Sequence, residues 1–267
     1  MKVLESNTQV IKPLYLALQY LSNAARCYIP KQLDGSHLDI RYNFIDQVFS
    51  VMLSESPKRD FTFNYGRLTL EWTNNRASKI MRLNGAKHKD VISWIRKAAR
   101  ESGYEKTYSY VVPDKKNFCI TSDYINDFYS LRQIEVMMTL RSFAHNTMNT
   151  LLSNYGIDDK IYLKPYTLTS CVQLKDVFYK GASVDFGFAI PDQFCQDHYY
   201  YIKCYGVKRI LYVTNMKSLK RGYWVSNQFH GAILPASNVT KEMVAVFLEE
   251  TRSAFKNKLN KRAIKSH

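Results

Sequence analysis

Residues that interrupt regular structure are scarce in this chain: ten glycines and seven prolines in 267 residues. That scarcity excludes collagen-like, linker-rich and low-complexity architectures. The five cysteines, Cys27, Cys119, Cys171, Cys195 and Cys204, are widely spaced and include no CxxC pair. A structural zinc site needs close pairs of ligands, so the spacing argues for reduced thiols in the interior and no metal. No stretch reaches the roughly 20 apolar residues of a membrane span. The nearest candidates, around Leu14–Leu21 and Ile233–Phe247, are interrupted by polar residues. The chain is therefore expected to be soluble and cytoplasmic, without a cofactor. Catalytic signatures are also missing: there is no HExxH, no GxSxG and no GxGxxG. Asp185-Phe186-Gly187 spells a kinase magnesium triplet, but none of its partner motifs is present.

Acidic residues are absent where basic ones gather. Against a net charge of +15, residues 76–100 hold Arg76, Lys79, Arg82, Lys87, Lys89, Arg96, Lys97 and Arg100 with Asp90 as the sole acid. Residues 203–221 carry Lys203, Lys208, Arg209, Lys217, Lys220 and Arg221 without any acid. Residues 252–267 add Arg252, Lys256, Lys258, Lys261, Arg262 and Lys265, again without an acid. Charge this segregated attracts polyanions over several ångströms wherever the segments form a patch. The expected phosphate contacts are Lys87, Lys89, Arg96, Lys97, Arg100, Lys203, Lys208, Arg209, Lys220 and Arg221.

Hydrophobic periodicity orders the elements. Pro13 followed by Leu14, Leu16, Leu18 and Leu21 predicts an N-terminal helix ending by Pro30. Short β-branched and aromatic runs follow, at His37–Phe44, Val48–Leu53, Phe61–Tyr65, Leu68–Trp72 and Lys79–Leu83. The period of two in Phe61–Tyr65 and Leu68–Trp72 suits antiparallel strands with one buried face. A helix capped by Asp90 and closed by Gly103 is expected next. Thr121-Ser122-Asp123 is expected to open a long helical stretch over Tyr124–Tyr155. Further strands are expected at Lys160–Leu168, Val184–Ile190, Tyr199–Tyr205, Ile210–Thr214 and Tyr223–Leu234, before a last helix capped by Thr240 with a fraying basic tail. Helices and strands segregate, so the fold class is α+β with antiparallel sheets: one compact unit, or two helix–strands–helix halves over 1–115 and 116–267.

Few groups suggest chemistry. Cys195 and His198, with Asp197 between them, form a nucleophile-and-base pair on paper, and His230 is a further reactive candidate. His88 and Asp90, at a helix start beside Lys87 and Lys89, suit either phosphate binding or plain capping. Tyr199-Tyr200-Tyr201, Lys203, Tyr205, Lys208, Arg209 and Tyr212 interleave aromatics with cations, which would stack bases if the rings were exposed and fill a core if they were not.

Asp185-Phe186-Gly187-Phe188 with Pro191, then Tyr199-Tyr200-Tyr201, then Ala232-Ile233-Leu234-Pro235 before a closing helix, match in order a GF-x-x-P run, an aromatic strand and an A-x-LP segment. In this the chain resembles the uncharacterised bacterial domain-of-unknown-function 5996 family, mainly in its C-terminal half. Leu14–Tyr20, with Gln19, takes the place of that family's opening helix motif, without its tryptophan. Gly181 and Ala182 stand where the family carries a histidine and an acid. The resemblance implies no reaction.

The leading expectation is a non-enzymatic binding protein whose basic surface engages nucleic acid or another polyanion. The alternatives are an enzyme acting on a small anionic substrate in a pocket between the halves, and an interaction subunit without a ligand of its own.

Overall fold

The structure is a computed structural model that describes residues 2–33, 35–55, 58–74, 77–111, 120–128, 131–157, 160–165, 167–176, 180–206 and 210–264, with the side chains of 2–10, 131 and 261–264 excepted. Its helices and antiparallel strands segregate, giving the α+β class expected. Internal contacts divide the chain into two units, residues 1–142 with 162–168, and residues 143–161 with 169–267. The change of unit falls inside a helix, whereas the sequence suggests a division near residue 116.

In the first unit, α1 (Lys2–Tyr28) precedes the strands β1 (Ile40–Asn43), β2 (Val48–Glu55), β3 (Lys58–Asn64), β4 (Thr69–Asn74) and β5 (Ala77–Arg82). Then come α2 (His88–Glu101), the first turns of α3 (Leu131–Asn154) and β6 (Tyr162–Lys164). The sheet order is β6-β1-β2-β3-β4-β5, antiparallel throughout. Alternation places Phe49, Val51, Leu53, Phe61, Phe63, Leu70 and Trp72 on one buried face, against which α1 packs. Leu14, Leu16, Ala17, Leu18, Tyr20, Leu21, Ala24 and Ala25 are sealed from solvent, so α1 is covered nearly all round. Pro13 lies inside this helix instead of at its start. The core is aromatic, with Phe61 touching both Trp72 and Trp94. The Trp72 indole N–H donates to Ser102 Oγ (2.8 Å), which gives the buried ring its polar partner.

The second unit contains the later turns of α3, then β7 (Thr169–Lys175), β8 (Ser183–Ala189), β9 (Tyr199–Tyr205), β10 (Tyr223–Val225), β11 (Gly231–Pro235) and α4 (Lys241–Ile264). Its antiparallel order is β7-β8-β9-β11-β10, with α4 packed on β9 and β11. The runs that carry the family resemblance lie on β8, β9 and β11, which are adjacent. Gly187 sits opposite Tyr201, and a Cβ there would lie 2.6 Å from the tyrosine ring and 2.4 Å from Ser170 O. Only glycine leaves room for that ring to lie across the strand.

Several expected elements take other forms. Tyr223–Leu234, expected as one strand, is the hairpin β10–β11, turned through Gln228 and His230 at positive φ. Ile210–Thr214 pairs only through a single bridge from Ile210 to Tyr205, yet Leu211 and Val213 are buried. Thr121-Ser122-Asp123 opens no helix, since α3 begins at Leu131. The strand β7 had no expectation at all. The C-terminal basic stretch stays helical to Ile264.

Candidate functional site

The first basic segment converges on α2. Val91, Ile92, Ile95, Ala98 and Ala99 face inward at helical spacing, which turns Ser93, Arg96, Lys97 and Arg100 to the opposite face. Gly103 (φ +83°) then reverses the chain: its N–H bonds Arg100 O (2.9 Å) and Tyr104 N–H bonds Ala99 O (3.1 Å). This left-handed C-terminal turn is open to glycine at little cost. The returning segment lays Tyr104, Glu105, Lys106 and Thr107 beside the basic face, and together they line a cleft of about 310 Å³. Arg96 Nε donates to Tyr108 O (3.1 Å), fixing the arginine at the cleft wall. Among the described residues, Arg96, Lys97, Arg100 and Lys106 form no ion pair, leaving four cations against the single carboxylate of Glu105. Basic side chains near a helix C-terminus also complement its dipole, so part of this clustering serves the helix itself.

The other end of α2 is closed to anions. Lys87 is the N-cap and offers no side-chain cap, so Asp90 lies within the first turn and does not cap it. Backbone carbonyls take the first amides: His88 N–H bonds Tyr124 O (2.7 Å) and Lys89 N–H bonds Ser122 O (3.0 Å). Asp90 and Val91 both donate to Lys87 O. With these donors spent, a phosphate has no amide cradle at this terminus, which corrects the anion-binding reading of His88 and Asp90. His88 is buried and hydrogen-bonded between Nδ1 and Tyr20 Oη (2.8 Å); burial pushes its pKa below the ordinary imidazole value. Lys89 pairs with Asp123 (2.8 Å) and Lys79 with Glu101, so two cations of this segment are neutralised within the fold. Lys87 is exposed.

The second and third basic segments meet in the second unit. Lys258 Nζ donates to Thr214 O (2.7 Å), Lys220 N–H to Glu250 Oε2 (3.0 Å), and Trp224 Nε1 to Lys217 O (2.8 Å). The Trp224 ring meets Phe255 edge-on at 5.4 Å. These contacts hold residues 214–222 on α4 and leave Lys217, Lys220, Arg221 and Lys256 exposed. Lys203 lies elsewhere: opposite Gly231, its ammonium rests 3.9 Å from the centre of the Phe229 ring. Lys208 and Arg209 lie outside the described residues. Tyr199, Tyr200 and Tyr201 are buried (2 %, 1 % and 6 % exposed), so the tyrosine run fills the core and offers no face for stacking bases.

The reactive candidates are packed among aromatic rings. Cys195 is buried, and the neighbouring Tyr223 hydroxyl donates to Phe194 O (3.3 Å), its pKa pushed up to about 12, first by burial. The His198 ring stacks on Phe188 (5.8 Å). His230 packs edge-on against Tyr212 (4.5 Å). Among the described residues no group of three or more His, Cys, Asp or Glu is arranged to hold a metal, and no helix is long and apolar enough to cross a membrane.

Lys106 and Tyr104 were not expected at the cleft. The signal that points to them is Gly103, because a left-handed residue ending a helix sends the next few residues back along it. No known family, curated protein or solved structure matches the chain.

Proposed function

We propose that this is a non-enzymatic binding protein that engages a polyanion, with nucleic acid the favoured class, through its basic surfaces. The observation that carries the reading is the convergence of Arg96, Lys97, Arg100 and Lys106 on one cleft without paired acids. Lys87, Lys220 and Arg221 are further exposed contacts. The ring of Tyr104 is already engaged by Tyr28 (4.3 Å between ring centres) and by the Arg59 guanidinium (4.7 Å). That leaves phosphate as the group the cleft addresses, and phosphate contacts confer affinity with little sequence discrimination.

The test is a pair of titrations on the full chain. Pyrophosphate, the smallest probe of the cleft, is expected to bind the native protein and to be lost from the Lys97→Glu, Arg100→Glu double variant. Binding of a mixed-sequence oligonucleotide should weaken roughly a hundredfold between 50 and 200 mM salt, the fall expected for about four phosphate contacts. Equal pyrophosphate affinity in variant and native protein, or binding indifferent to salt, would sink the reading.

A further inference from the structure

The cleft on α2 does not account for the second unit, where like charges are held together with Glu250 as the carboxylate bonded among them. We propose that residues 214–222, clamped on α4 at Glu250 and Lys258, form a separate docking platform for the phosphodiester backbone of nucleic acid. This rests on the polyanion reading, in which Lys220 and Arg221 are already contacts, and extends it to a surface that shares no residue with the α2 cleft.

The first support is the fate of the carboxylates. No Asp or Glu occurs in 203–221 or 252–267. The two acids nearest in sequence are committed: Glu249 holds Arg252 in a two-pronged pair (2.6 and 3.0 Å) and accepts from Tyr155 Oη. Glu250 accepts the amide of Lys220. Lys217, Lys220, Arg221 and Lys256 consequently form no ion pair among the described residues. Such a cluster repels itself, and an anionic partner removes that cost.

The second support is preorganisation. In this segment the fold bonds the backbone and leaves the segment's own cations exposed: the carbonyls of Thr214 and Lys217 and the amide of Lys220 make the tethers, and Lys258 of α4 is the cation spent on them. Gly222 closes the segment at φ +77°, where a Cβ would lie 2.3 Å from Ile233 O and 3.2 Å from the Phe247 ring. A surface fixed before binding loses little conformational entropy when it meets its partner.

The third support concerns the kind of partner. The apolar face of α4, with Val244, Phe247, Leu248 and Phe255, is buried within its own unit. The Trp224 indole N–H is already bonded. Residues 214–222 themselves therefore offer neither the apolar helix face that inserts into a bilayer nor an aromatic anchor, and the exposed rings of Tyr212 and Tyr223 lie at the edges of the segment. Exposed cations on a fixed backbone suit a hydrated, regularly charged chain, and nucleic acid supplies one.

The experiment is fluorescence anisotropy on the full chain with mixed-sequence single- and double-stranded 20-mers, run with a Lys217→Glu, Arg221→Glu, Lys256→Glu triple variant. Each lost phosphate contact lowers the magnitude of the slope of log affinity against log salt by about 1. The triple variant is expected to show a slope shallower by about 3 for duplex and an affinity at least about tenfold weaker at 100 mM salt, to the same degree for unrelated sequences. Pyrophosphate binding at the α2 cleft should remain at the native level. The neutral Lys217→Gln, Arg221→Gln, Lys256→Gln variant, with a native melting temperature, must shift the slope in the same direction.

An unchanged slope in both triple variants overturns the platform. So does native protein that binds no oligonucleotide at 50 mM salt, or that binds only phosphatidylserine vesicles. Each of these results leaves the cleft reading standing if pyrophosphate still binds. Conversely, loss of pyrophosphate binding in every preparation removes the cleft reading and leaves the platform to the oligonucleotide result.

Discussion

The two basic regions carry similar charge but hold it in different ways. Around α2 the fold brings in acids from outside the basic segment, Glu101 to Lys79 and Asp123 to Lys89, and spends part of Arg96 on Tyr108 O. What remains is concentrated in a concave cleft with one carboxylate on its wall. On α4 the tethers end on backbone groups of residues 214–222, Lys258 is the cation spent on them, and four cations stay outside. The difference teaches that a basic stretch does not reveal its available charge. Availability depends on which distant acids the fold delivers, and on whether the local hydrogen bonds use side chains or backbone.

The comparison breaks most sharply at Gly222. Gly222→Ala forces a left-handed residue and a clash with Ile233 O, and is expected to cost about 2–4 kcal/mol by urea unfolding. It should flatten the salt dependence of oligonucleotide binding while pyrophosphate affinity holds. A smaller loss is expected in the first unit from Ser102→Ala, which leaves the Trp72 indole N–H buried without its acceptor. That unmade bond costs about 1–3 kcal/mol. Because Ser102 ends α2 beside Gly103, the variant should weaken the cleft and spare the platform.

The mildest effect is on pH. Burial holds the folded-state pKa of His88 below its ordinary value of 6.5, so the unfolded chain takes up the proton first as pH falls. Its contribution to stability is complete above the ordinary value and declines as pH drops toward the depressed one. Urea midpoints at pH 7.5 and 5 should therefore differ more in the native protein than in His88→Phe. An equal difference in both would show that the proton is taken up elsewhere.

Much of the fold is legible because its strands obey simple periods. Phe61–Tyr65 and Leu68–Trp72 alternate since one face of that sheet packs against α1 and the other meets solvent. Strand β7 went unread because its buried positions include Ser170 and Cys171, and the Ser170 hydroxyl owes its place to His145 across the unit (2.7 Å), a partner invisible in a local window. The β10–β11 turn is hidden for a related reason: its left-handed residues, Gln228 and His230, are not the glycine or asparagine that normally mark such turns. Thr121-Ser122-Asp123 reads as a helix start, yet the segment works as the cap of a helix that precedes it, with its carbonyls serving α2. For the site, the clusters of cations were plain in the sequence. Their pairing was not, because Asp123 lies 34 residues from Lys89.

The three tryptophans fall where the two regions can be told apart by light. Trp72 is sealed in the core of the first unit, Trp94 is half-buried on α2 next to the cleft residue Ser93, and Trp224 is half-buried beneath Lys217. Emission from the molecule is thus a sum of one constant source and two local reporters. With Trp224 replaced by phenylalanine, the change on adding ligand follows the cleft; with Trp94 replaced, it follows the platform. The protein carries its own optical assay for each surface, with no dye attached.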